Sequence, residues 1–248
     1  MVLLATFVAA ELAAAFVSVP LGAAIHAAVI VVALNRYVLT GRDGRAPALL
    51  PVIALLSAAR LTAIALPVAT HSIAIRATLV GAPAVLGALL LLRHLRLTDW
   101  SAKEVPQRAN SAKQTLVVVV LAGAALGALA AIAEHLHAPV FSDPAVGYPV
   151  TAVCLGLFSA AAEELGFRRL LLPAAQQSLG AAGAWLASTT LFAATYLASR
   201  SVAVVAVAVA GGLVFTWAYM RSRSTIVPVV GHAVATVGAF LVWPAVVR

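Results

Sequence analysis

Gln114-Thr-Leu-Val-Val-Val-Val-Leu-Ala-Gly-Ala-Ala-Leu-Gly-Ala-Leu-Ala-Ala-Ile-Ala133 is twenty residues without a charge. Its apolar residues run continuously instead of alternating, which reads as a helix and not as a strand of a membrane barrel. At 1.5 Å per residue the stretch is about 30 Å long, the thickness of a bilayer's hydrocarbon core. The rest of the chain has the same character. Of 248 residues, 63% are AVILMFWYC and 10% are charged, and the mean hydropathy is +1.06. Soluble domains carry about 25% charged residues. Sixteen Lys+Arg and eight Asp+Glu are too few to clothe a soluble globule of this length. A soluble enzyme, a disordered chain and a fibrous protein are excluded. An integral, multi-pass membrane protein remains, with lipid as its solvent and first partner.

Reading outward from 114–133, nine spans are expected, at about 1–19, 21–39, 47–68, 73–92, 114–133, 148–170, 181–198, 201–220 and 226–246. Only Pro20 separates the first two, and one kinked hairpin there would give eight. The expected fold is an all-α polytopic transmembrane helix bundle. The polar stretch at 93–113 suggests a boundary between an N-terminal helical block, 1–112, and a C-terminal core, 113–248. Trp100 within it suits either an interfacial helix or a solvated loop. The start, Met-Val-Leu-Leu-Ala-Thr-Phe, lacks a basic n-region, so the first helix is expected to be retained. Trp185, Trp217, Tyr219 and Trp243 fall near span ends, as an aromatic belt would. Gly123-xxx-Gly127 permits close helix packing.

The net charge of +8 has a topological reading. Arg36, Arg42 and Arg45 follow span two, and Arg93, Arg96, Lys103, Arg108 and Lys113 follow span four. Arg168 and Arg169 come late in span six, and Arg221 and Arg223 follow span eight. The intervening loops carry little positive charge, and the one after span five has Glu134 and Asp143. A cytoplasmic N-terminus in a bacterial-type plasma membrane is expected, with Arg200 as the exception. No basic stretch interleaves aromatic residues on a soluble domain, so nucleic acid is not an expected partner. A single cysteine, Cys154, excludes an intramolecular disulfide and reads as a small packed hydrophobe.

Ionisable residues within spans mark function by default. The decisive cluster is Ala161-Ala162-Glu163-Glu164-Leu165-Gly166-Phe167-Arg168-Arg169. Glu164 and Arg168 are one turn apart on one face and are expected to pair. Glu163 lies about 100° round the helix, beside Gly156, Ser159, Ala160 and Gly166. Those small residues leave room for water, and a poorly solvated carboxylate suits general-base chemistry. A purely structural ion-pair network with Arg168 and Arg169 fits the same spacing. In the last span His232 precedes Thr236 by one turn. His232 suits oxyanion stabilisation, proton transfer or metal ligation, or satisfaction by a neighbouring helix. Tyr196, one turn after Phe192, either donates into a site or belongs to the aromatic belt.

Taken together, these segments resemble the CAAX protease and bacteriocin-processing (CPBP, or Abi) family of intramembrane proteases. Its pattern is Glu-Glu-xxx-Arg, then Phe-xxx-His, then His-xxx-Asn/Asp. Glu163-Glu164-xxx-Arg168 is complete, and Gly212-Leu-Val-Phe-Thr-Trp leading to Pro228-Val-Val-Gly-His232 is also similar. Tyr196 stands where the family has His, and Thr236 where it has Asn or Asp. The resemblance covers about 113–248. It implies that Glu163 activates water and that His232 stabilises the oxyanion, with Tyr196 and Thr236 in weakened supporting positions. With one histidine replaced, Glu163 and His232 make a poor zinc site, and neither a metal nor another cofactor is expected.

The implied activity is endopeptidase cleavage of a peptide or membrane-protein substrate near the membrane surface. A catalytically impaired member acting as a scaffold is the alternative, supported by the two departures. A small-solute transporter is the third reading, with Glu11, His26 and Arg60 as midplane polar groups that otherwise pair with one another. The charge alternation sets Tyr196 and His232 towards opposite membrane faces. They meet only if span seven is short or re-entrant.

Overall fold

The computed structural model describes residues 1–41, 47–66, 72–95, 109–134 and 144–246. Every regular element among them is helical. Arg42, Arg45, Arg96, Trp100, Lys103, Arg108 and Asp143 lie outside the described residues.

Helices α1 (Val2–Phe16) and α2 (Val19–Gly41) form an antiparallel hairpin. Ser18 ends the turn by accepting a hydrogen bond on Oγ from the Leu21 amide at 3.3 Å. Pro20 sits in the first turn of α2, where its missing N–H is not needed. Helices α3 (Leu49–Ala65), α4 (Ile73–Leu95) and α5 (Ala109–Ala133) follow.

The next stretch is helical with changing pitch, and is unbroken as far as Gly180. It runs through α6 (Pro144–Cys154), a π-helical turn at Leu155–Ala160, α7 (Ala161–Glu164), a second π turn at Leu165–Leu171, and α8 (Leu172–Ala194). Gly180, at φ +70° and ψ 178°, breaks α8 and folds the chain back on itself. That backbone region is essentially restricted to glycine. The chain closes with α9 (Val202–Ser222), α10 (Ile226–Val237), a π turn at Gly238–Val242 and α11 (Trp243–Val246).

Six helical runs among the described residues are long and apolar enough to cross a membrane, and α1 and α3 are shorter apolar helices. One of the six, Val146–Ser199, contains the break at Gly180, which raises the apolar segments from eight to nine. On α5 the side chains of Val117, Leu121, Leu129 and Ile132 face outward. An apolar surface of this kind is the lipid face of a polytopic membrane protein.

The main core joins both ends of the chain. Phe7, Val29 and Ile53 pack with Leu170, Leu171 and Phe192. A second core under α5 contains Val119, Leu126, Phe215 and Val227. The α5–α10 contact explains Gly123 and Gly127. A Cβ on Gly123 would overlap the Gly231 carbonyl, and one on Gly127 would lie 2.6 Å from Ala235 O.

Two local expectations change. Tyr219 is buried in the main core and is not a belt residue. Span seven, read as reaching 198, ends as an α-helix at Ala194. From Gly180 to Ala194 it rises only about 21 Å, short of a full hydrocarbon crossing. Arg200, the exception to the charge alternation, donates through Nε to Ala15 O at the end of α1, at 2.6 Å. A cation bonded to the last carbonyls of a helix is favourable.

Candidate active site

Glu163 and Glu164 are the last two residues of the four-residue α7, with π turns on either side. Single π turns recur at functional sites because the wide turn re-aims the side chains around it. Here neighbouring carboxylates enter different surroundings.

Glu164 is fully buried, as is Arg168. Arg168 Nη1 donates to Glu164 Oε1 at 3.0 Å, the pairing expected from their spacing. Arg168 Nη2 donates to the Gly212 carbonyl of α9 at 3.3 Å. The guanidinium carbon lies 4.3 Å from the Phe192 ring centroid and 5.8 Å from that of Phe215. Two hydrogen-bonding partners and two aromatic faces take up this cation.

His232 reaches the same carboxylate from α10. Its Nδ1 lies 2.8 Å from Glu164 Oε1. An ionised carboxylate only accepts hydrogen bonds, so Nδ1 carries the hydrogen and donates. The imidazole stacks on Phe215 at 5.0 Å between centroids and 14° between planes. It meets the Phe192 ring edge-on at 5.7 Å. With Nδ1 and the ring plane fixed, Nε2 faces Glu163, 3.8 Å from Oε2.

Glu163 is the open carboxylate, with 29% of its side chain accessible. Tyr196 donates its hydroxyl to Glu163 Oε2 at 3.3 Å. The span ending at Ala194 is short enough to leave Tyr196 beside Glu163, so Tyr196 and His232 meet at one carboxylate. Glu163 lines a cavity of about 110 Å³ walled by α3, α4 and the Glu-bearing helix, with Ser159, Gly166 and Arg60. Tyr196, His232 and Thr236 line a second cavity, of about 90 Å³. Glu163, Tyr196 and His232 therefore lie between two small, mostly apolar chambers.

Thr236 lines the second chamber, but its hydroxyl donates to the His232 carbonyl of its own helix at 2.8 Å. The N-terminal polar residues pair with one another. Arg60 donates to Glu11 Oε1 through Nε and to Oε2 through Nη2 at 2.9 Å, and His26 Nε2 lies 3.2 Å from Glu11 Oε1. Among the described residues, no three carboxylate, imidazole or thiol side chains are grouped to hold a metal ion.

Three participants were not legible as such. Phe215 stood in a family-like stretch with no role until its ring met His232. Glu134, read as an external loop charge, lines the second chamber. Arg60, read as a structural partner, also opens on the Glu163 cavity. Only a long-range contact could reveal these.

No curated protein and no solved structure matches the chain. Residues 145–238 match the family described as type II CAAX prenyl endopeptidase Rce1-like. That stretch, less than half of the chain, contains Glu163, Glu164, Arg168, Tyr196, His232 and Thr236, and over it the chain is similar to that family.

Proposed function

We propose that the protein is an intramembrane endopeptidase of the CAAX-protease type, with Glu163 as its general base. The observation that carries this reading is the contrast between adjacent carboxylates. Glu164 is sealed in the protein and paired with Arg168, while Glu163 opens on a cavity. Water held at Glu163 Oε2 loses one proton to that oxygen as its own oxygen bonds to the scissile carbonyl carbon. The displaced electron pair collects on the carbonyl oxygen. Tyr196 O–H, beside Glu163, is an uncharged donor that could bond that anion. Glu163 then passes its proton to the amide nitrogen as the C–N bond breaks. His232 Nε2 is near enough to the same carboxylate to relay it. The Glu164 bond to Nδ1 holds the ring, as the carboxylate does in a hydrolase triad.

One observation favours a scaffold that has lost hydrolysis. Thr236 spends its hydroxyl on its own helix, so one expected donor is missing. Transport has less support, because Glu11 pairs with both His26 and Arg60.

The test is Glu163→Gln in full-length protein, assayed against reporter peptides with an apolar anchor and read by mass spectrometry. Loss of a general base is expected to slow cleavage by about 10²–10⁴-fold. Equal cleavage by wild type and variant would overturn the assignment of Glu163. No cleavage by wild type, together with an unchanged cellular phenotype for the variant, would favour the scaffold.

A further inference from the structure

We propose that Arg60 forms a carboxylate-binding subsite in the cavity that contains Glu163. Naming the ligand a peptide rests on the peptidase reading; the anion site itself does not.

Arg60 lies on α3, outside the segment that matches the family. Its side chain is 20% exposed and lines the Glu163 cavity. Nε and Nη2 are spent on Glu11, whose side chain is fully buried behind it. Nη1 makes no hydrogen bond with the described residues. Glu11 is itself braced by His26, which is wholly buried. The guanidinium is thus gripped along one edge while another edge remains available.

An ion pair serving structure alone needs no cavity. This cavity is otherwise lined mainly by aliphatic and small residues, including Leu55, Ala59, Ala63, Val80 and Ala84. In such a wall an available N–H on a fixed cation is the natural partner for an anion, because weak solvation strengthens the bond and prior ordering lowers its entropic cost. The carboxylate of Glu163 excludes a second anion from its immediate neighbourhood and leaves Arg60 as the attractive point. A peptide bond at Glu163 with a carboxylate at Arg60 satisfies both. That carboxylate belongs either to the peptide's C-terminus or to an Asp or Glu side chain beyond the scissile bond.

The experiment measures binding, so it is independent of turnover. Full-length Glu163→Gln protein in detergent is titrated with three dansyl-labelled apolar hexapeptides. One has a free C-terminal acid, one a C-terminal amide, and one an amide with an internal Asp. At least one acidic peptide is expected to bind about tenfold or more tighter than the plain amide. Preference for the free acid alone identifies the terminus, and equal preference for the Asp peptide identifies the side chain. Adding Arg60→Gln should bring the ratio to about one while amide binding persists. If that variant fails to fold, Glu11→Gln with Arg60→Gln removes the buried charge and repeats the comparison. Equal binding of all three peptides, no binding of any, or a preference that survives loss of Arg60 would overturn the subsite. Failure of the peptidase reading would appear separately, as absent cleavage by wild type.

Discussion

Glu164 and His232 meet at 2.8 Å although sixty-eight positions separate them in the chain. Glu164 Oε1 is shared between His232 and Arg168, so one buried oxygen sets both the imidazole and the guanidinium. Glu163 has neither partner at that distance. Glu164→Gln should therefore destabilise the protein by about 3–5 kcal/mol, because Arg168 would remain charged, buried and without a counter-ion. Glu163→Gln, on the open side, should stay within about 0.5 kcal/mol of wild type. Thermal unfolding in detergent checks the pair. Equal losses for both variants would mean that the two carboxylates share one structural role.

Arg168→Lys tests whether charge alone is sufficient. A lysine ammonium cannot bond Glu164 and Gly212 together while lying flat over Phe192. The variant is expected to unfold at a temperature between those of wild type and Arg168→Ala. A melting temperature equal to wild type would show that the fork and the aromatic faces contribute little.

The Gly123–Gly231 contact gives a route to the site from a distance. Gly123→Leu adds a side chain where α5 touches the α10 backbone, so α10 must move away. His232 moves with it and loses its 2.8 Å contact with Glu164. Cleavage of reporter peptides should fall, although residue 123 touches none of the reacting groups. The outward-facing substitution Val117→Leu, on the same helix, should leave activity unchanged.

The helical class was legible because spans are written locally, as runs of apolar residues near 20 in length. The Glu164–Arg168 pair was also legible, since one helical turn joins the two. The association of Tyr196 with His232 was not. It depends on the fold-back at Gly180 and on a span that stops early, and hydropathy alone blurs both. Arg60 shows the same limit. Its pairing with Glu11 was expected from the cost of lone charges in lipid, but its opening onto the Glu163 cavity depends on how α3 meets the Glu-bearing helix.

The basic loops give an expected membrane orientation that tags can test. Reporter tags within 93–113 and beside Arg221 should read cytoplasmic, and a C-terminal tag should read external. Nine crossings require this opposition. A cytoplasmic C-terminus would reduce the crossings to eight and make the span that ends at Ala194 re-entrant.

Tyr196 stands where the resemblance leads one to expect His, and two substitutions there separate donor from base. Tyr196→Phe keeps the ring that lies 5.4 Å from Phe192 and removes only the hydroxyl bonded to Glu163. If that hydroxyl stabilises the anion, cleavage should fall by about 10²–10³-fold with little change in stability. Tyr196→His restores a group that titrates near neutral pH and can share proton transfer with Glu163. Its activity should equal or exceed that of wild type and acquire a pH inflection that wild type lacks. The smaller ring also opens space beside Phe192, so the melting temperature must be followed in parallel. Full activity in Tyr196→Phe would remove the tyrosine hydroxyl from the mechanism. Loss of activity in Tyr196→His with an intact fold would mean that the phenol is the working group of this site and not a remnant.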